Sequence, residues 1–201
     1  MALIARIRRA TSIHAMDLSP GELSLAMSLV GLDVVARLAP HAPNVTPIAA
    51  SAVFAGMVLR SRALALAVPL SALLASDLVV GSYDWRIMGV VYAALALPAL
   101  AARWGRAFRP VVVLGPLVLS SSLLFFATTN FAVWAFSSMY AHDLHGLVHC
   151  YVAALPFLYN TVAGDLLWAT LLFGTWWSAK FLFAPKVKFS MGGKLSLLPL
   201  P

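Results

Sequence analysis

Residues 110–134 read PVVVLGPLVLSSSLLFFATTNFAVW, twenty-five positions without a charged side chain. A hydrocarbon core of about 30 Å takes about 20 helical residues to cross. This stretch is long enough and apolar enough to do so, and it places the chain in a bilayer. Working outward, five further segments have the same character: 22–39, 45–59, 63–81, 86–102 and 161–183. Of these, 45–59 is short for a span. A further apolar run over 144–158 suits an interfacial or re-entrant helix better than a crossing.

Composition agrees with that reading. Of the 201 residues, 62% are hydrophobic and 10% charged. A soluble domain is nearer half apolar and a quarter charged. Mean hydropathy is +0.90 and the pI about 10.1. The net charge of +7 would suggest nucleic acid in a soluble chain. Here basic residues have a topological reason to collect on cytoplasmic loops, so no nucleic-acid partner is expected. The one cysteine, Cys150, excludes an internal disulfide. Arg6, Arg8 and Arg9 are followed too soon by His14, Asp17, Pro20 and Glu22 for a cleavable signal peptide.

Charge decides the topology. With the N-terminus inside, six spans put Arg6, Arg8, Arg9, Arg60, Arg62, Arg103, Arg106, Arg109, Lys180, Lys186, Lys188 and Lys194 on the cytoplasmic side. Only Arg37 and Arg86 lie towards the other side. A seventh span at 144–158 would expel the four lysines and break the positive-inside pattern. The expected fold is therefore all-α: an integral membrane bundle of six transmembrane helices, both ends in the cytoplasm, with a short interfacial or re-entrant helix before the last span. Residues 1–20 read as a basic cytoplasmic segment, 21–184 as the membrane domain and 185–201 as a loose basic tail.

Polar groups in hydrocarbon are costly, so each asks for a partner or a task. Asp33 and Arg37, four apart, read as a pair neutralising itself on one helix. Asp77, before Gly81-Ser82-Tyr83-Asp84, reads either as part of a helix end or as an acidic wall of an outward-facing pocket, with Tyr83 beside it. Asn130 sits at the outer end of its span. Trp134, Phe136 and Tyr140 after it suit an aromatic belt. His142, His145 and His149 share one helical face and admit three readings: interface residues, a metal site, or contacts to a ligand. Asn160 reads as an N-cap. Asp165, one turn later, suits either the helix dipole or a pocket. The small pairs Ser51/Ala55 and Ala52/Gly56 allow close helix approach, for internal packing or for a partner helix. Catalytic templates such as GxSxG, HExxH and the P-loop are missing, so no enzymatic activity is expected. Any pumping would draw on ATPases in other subunits.

Several stretches in order resemble a family of small bacterial membrane proteins assigned to transport. They are Asn44–Ala50 with Phe54-Ala55-Gly56; Pro69 with Ser76–Gly81; Ser121–Phe126; Thr129–Trp134; Cys150-Tyr151 with Ala153–Phe157; and Asn160-Thr161 with Gly164-Asp165-Leu166. The resemblance covers roughly 44–175. That family is similar to the S components of energy-coupling-factor transporters, six-helix vitamin-binding proteins of the bacterial inner membrane, with the solitary cobalamin-binding members closest in layout. The resemblance implies capture of a small polar molecule such as a vitamin at the outer face. It also implies a transmembrane coupling subunit with ATPases as a partner. Asp77, Tyr83, Asn130, His142, His145, His149, Asn160 and Asp165 are then the substrate-binding candidates. Cys150, or one of the histidines, would be the axial ligand if the substrate is a corrinoid. Two other readings stand beside this one: an accessory subunit of a larger membrane complex, and a metal-dependent membrane enzyme built on the histidines and Cys150.

Overall fold

The computed structural model describes residues 19–183, 188–191 and 194–197. The basic N-terminal segment through residue 18, and Lys186 in the tail, lie outside them. Six helices run up and down in chain order: α1 (Pro20–Leu38), α2 (Ile48–Val58), α3 (Arg62–Val80), α4 (Trp85–Gly105), α5 (Pro110–Phe136) and α6 (Leu144–Leu182). Where a loose tail was expected, β1 (Lys188–Met191) and β2 (Lys194–Leu197) pair as an antiparallel hairpin, Lys188 opposite Leu197.

Four of the helices, α3, α4, α6 and Val112–Phe136 of α5, are long and apolar enough to cross a membrane, and they mark the chain as a membrane protein. Their outer faces expose large apolar side chains, Leu78 and Val79 among them, as lipid requires. Trp85 and Trp104 stand exposed at the two ends of α4. Their nineteen-position separation is about 28 Å along a helix axis, the spacing of two interfacial aromatic anchors.

Local chemistry sets the helix ends. Ser19 Oγ accepts from the Glu22 amide at 3.2 Å, ahead of Pro20 at the first helical position. Ser61 Oγ accepts from Leu64 N, and Asp143 Oδ1 from Gly146 N, each satisfying an amide that the helix cannot. Asp84 caps α4 and also clamps Arg86 at 2.8 Å. That clamp holds its carboxyl down at about 2. The contribution is present above the ordinary carboxylate range and is lost as pH falls through about 2. Gly81, at φ 102°, ends α3 in a conformation that other residues adopt at a cost.

Helix α2 is the hub. It has eleven residues, and Ile48 through Gly56 are all buried. It touches each of the other five helices, so it lies inside the bundle rather than against lipid. That position explains its shortness. At Gly56 a Cβ would stand 2.2 Å from the Ala99 carbonyl oxygen of α4. The small-residue spacing is thus consumed by internal packing. Phe54 fills the opposite side edge-on against Phe173 and Trp176 of α6. The carbonyls ending α2 are covered by arginines of the α4 end. Arg106 donates to Gly56 and Leu59, and Arg103 to Leu59 and Arg60. Glu22 accepts from the Arg60 amide.

Two expectations are corrected. The segment 144–158 is not a separate interfacial or re-entrant helix. It continues into the last span as one helix of 39 residues running through Pro156. A proline costs one backbone bond, and packing on α5 holds the helix across it. Asn160 is therefore an interior residue, and Asp143 is the cap. Nor do Asp33 and Arg37 pair with each other, because each turns to a neighbouring helix. Ser51 Oγ of α2 donates to Asp33 at 2.7 Å, and Arg37 reaches α3.

Gly56→Leu is expected to force α2 from α4 and destabilise the fold by about 1–3 kcal/mol, read as a fall in Tm in detergent. Gly31→Leu, whose added Cβ meets nothing within 4 Å, is expected to leave Tm unchanged.

Candidate functional site

At the end of the bundle carrying the α1–α2, α3–α4 and α5–α6 loops, the helices part around a cavity of about 280 Å³. Arg37, His41, Asn44, Thr46, Thr161 and Asp165 supply its polar lining. Ile48, Ala49, Leu73, Val80, Val91, Leu95 and Phe125 supply the apolar remainder. A second cavity of about 240 Å³ adjoins it, sharing Asn44, Phe125 and Thr161 and adding Phe126, Thr129, Asn130 and Phe157. Leu95 lies ten positions along α4 from Trp85, so the first cavity reaches about 15 Å inward, roughly half the hydrocarbon thickness.

The α1–α2 loop forms its rim. Asn44 takes a left-handed conformation at φ 64°, which asparagine tolerates better than most residues. Val45 N closes the turn on Ala42 O at 3.1 Å. This fold lays Val45 against Gly164 of α6, where a Cβ would stand 3.0 Å from the Val45 Cα. Glycine at 164 thus seats the loop and carries His41, Asn44 and Thr46 to the cavity. His41 and Asn44 are exposed, so the cavity opens to the surface there.

Three buried carboxylates have distinct partners. Asp77 meets Arg37 Nη2 at 2.7 Å and accepts from Tyr92 Oη at 2.9 Å, while Arg37 Nη1 donates to Ser76 Oγ at 2.6 Å. This α1–α3–α4 network stands behind the cavity wall, with only Arg37 reaching the lining. Asp33 bonds Ser51, and among the described residues its Oδ2 has no hydrogen-bond partner. Asp165 accepts from Ser122 Oγ of α5 through Oδ2 at 2.6 Å. It is 3% exposed and lines the cavity. The polar run of α5 is otherwise satisfied within its own helix. Ser121 and Thr129 each donate back four residues at 2.7 Å, and so does the Asn130 amide, which is how a helix keeps such groups in lipid.

Of the residues singled out from the sequence, the cavities bring together Asp165 and Asn130. Asp77 stands one side chain behind. Asn160 lines neither cavity. Tyr83 lies in the α3–α4 loop, where burial and then the Asp77 carboxylate push its phenol above the ordinary value. The three histidines do not converge on a point. His142 bonds the Ser137 carbonyl and stacks edge-on against Trp134, whereas His149 packs on Tyr140 and stands 6.4 Å from His145. Among the described residues no three His, Cys, Asp or Glu side chains group to hold a metal ion. Cys150 is buried between α5 and α6, its thiol donating to Asn130 O at 3.4 Å, and it lines neither cavity. Arg37, His41, Asn44, Thr46 and Thr161 join the site although none is among the candidates the sequence offers. The i,i+4 reading of Asp33 and Arg37 had set Arg37 aside.

Asp77→Ala is expected to destabilise the protein by about 3 kcal/mol, since it strands a largely buried guanidinium. The double variant Arg37→Leu/Asp77→Leu is expected to lose less than Asp77→Ala alone. A double-mutant cycle on Tm checks both.

No curated protein matches the chain, and no solved structure does. A family model described as a family of unknown function, DUF6580, matches residues 19–187. That match takes in all six helices, the loops between them and every residue lining the two cavities, so the chain belongs to the DUF6580 family.

Proposed function

We propose that this protein is a substrate-binding membrane transport protein of the bacterial inner membrane, similar to an S component, that receives a small polar solute in the cavity from the outer face. One observation carries the reading. The separated stretches on which the resemblance to transport proteins rests supply most of the cavity wall: Asn44, Thr46, Ile48 and Ala49; Phe125 and Phe126; Thr129 and Asn130; Thr161 and Asp165. Pockets with an apolar lining and a few convergent polar groups are the usual form of a small-molecule site.

Charge supports the orientation. Arg60, Arg62, Arg103, Arg106, Arg109 and Lys180 all lie at the bundle end opposite the cavity. Under the positive-inside rule that end faces the cytoplasm and the cavity faces out. In this reading α1 and α6 span alongside the other long helices, and α2 crosses within their shelter. Reorientation of the bundle or movement of the α1–α2 loop releases the solute inward, and hydrolysis energy comes from partner subunits. The cavity volume lies just under the range of about 300–1,000 Å³ usual for drug-sized ligands. A corrinoid is several times too large for it, and the solute proposed is correspondingly small.

Two measurements test the proposal. Purified protein titrated with a panel of small vitamins and metabolites is expected to gain thermal stability with a restricted set. Asn130→Ala is expected to weaken that binding up to about tenfold, the worth of one hydrogen bond; stabilisation by no compound would overturn the reading. For orientation, His41→Cys is expected to react with an impermeant maleimide in intact cells, and Arg109→Cys only after lysis. The reverse pattern would place the cavity on the cytoplasmic side.

A further inference from the structure

The groups facing the larger cavity are unequally matched in charge. Arg37 is already neutralised by Asp77 at 2.7 Å and donates to Ser76. Its charge is therefore committed to the α1–α3 contact. Asp165 has no cation beside it among the described residues. Ser122 supplies one hydrogen bond to Oδ2, and no described residue donates to Oδ1. A carboxylate 3% exposed in an apolar bundle is costly unless a charge or several donors meet it.

The neighbouring polar groups offer acceptors. Thr161 gives its proton to the Phe157 carbonyl at 2.8 Å, which turns its lone pairs outward. His41 Nδ1 lies 2.7 Å from the Ala39 carbonyl. An N–H is needed there, so the neutral ring presents Nε2 as an acceptor. Asn44 and Thr46 line the same cavity with side chains that can accept as well as donate. A carboxyl group with no cation beside it, set among groups that can accept, favours a ligand that brings donors and positive charge. At about 30 Å³ per water in the liquid, 280 Å³ holds about nine waters, room for a ligand of modest size.

We infer that the cavity takes a small organic molecule carrying a protonated amine, whose N–H groups donate to Asp165 Oδ1 and the Thr161 hydroxyl while its apolar body lies against Phe125 and Leu95. This inference rests on the transport reading and names its substrate class. Ser122 acts as a positioning residue, fixing the carboxylate by its bond to Oδ2.

The test uses the purified full-length protein and sets of one skeleton in three charge states, such as tyramine, tyrosol and 4-hydroxyphenylacetate, with histamine and cadaverine as further amines. Affinity is read by calorimetry and by thermal shift. At least one amine is expected to bind tenfold or more tightly than its neutral counterpart, with no binding by the acid. Asp165→Asn is expected to abolish the preference for charge. Thr161→Val, which keeps side-chain volume, is expected to weaken amine binding several-fold and serves if Asp165→Asn fails to fold. Binding confined to neutral or acidic compounds would overturn the inference and leave the transport reading standing. So would an amine preference unchanged in both variants, whereas stabilisation by sodium chloride with no organic solute effective would overturn both. Binding by no compound of any class would overturn both.

Discussion

The approach of α2 to α4 at Gly56 is the contact on which the rest of the bundle depends. A hydrogen in place of a side chain lets the Ala99 carbonyl of α4 come where a Cβ would stand only 2.2 Å away. Lipid tails are as apolar as leucine, so in a membrane the hydrophobic effect does not drive helices together; close van der Waals packing does. Helix α2 supplies that packing to all five neighbours. Its residues are small or apolar, and Ser51 is its one polar side chain within the buried stretch Ile48–Gly56. The carbonyls at its C-terminal end would be orphaned inside the protein. Arg103 and Arg106 cover them, so the residues that mark the basic end of the bundle also finish its central helix.

Burial of α2 has a consequence at its other end. Its first residues, Ile48 and Ala49, begin below the tips of the longer helices and form the floor of the cavity. The chain between Ala39 and Pro47 must then cross the bundle end to reach them. It does so through the left-handed turn at Asn44 and the contact with Gly164. A short, sheltered helix and a folded loop thus create an opening in an otherwise filled bundle.

Polar side chains in this apolar environment divide into three kinds. Ser121 and Thr129 of α5 and Thr161 of α6 bond their own backbone and carry no charge. Arg37, Asp77, Ser76 and Tyr92 satisfy one another across three helices. Asp33 and Asp165 each take one serine. Only Asp165 of these two lines the cavity, so its remaining acceptor capacity is available to a ligand. Double-mutant energies in such networks reflect the stranded partner as much as the bond lost.

The sequence by itself determined the membrane class, the approximate limits of most helices and the gathering of arginines at one end. These follow from hydropathy, length and charge, which are properties of a segment alone. It also carried Asp165 and Asn130 into the candidate site, since a polar group within an apolar run is visible without a fold. The tertiary structure decided which helix each charge faces. Asp33 and Arg37 lie four apart and looked like partners. Helix α3 placed a carboxylate within reach of Arg37, and α2 placed a serine beside Asp33. It decided that 144–182 is one helix, because packing against α5 holds the backbone through Pro156. It left His142, His145, His149 and Cys150 outside both cavities and brought in Arg37, His41, Asn44, Thr46 and Thr161. Helix rotation and loop path set those positions, and both are fixed only when all the packing surfaces meet.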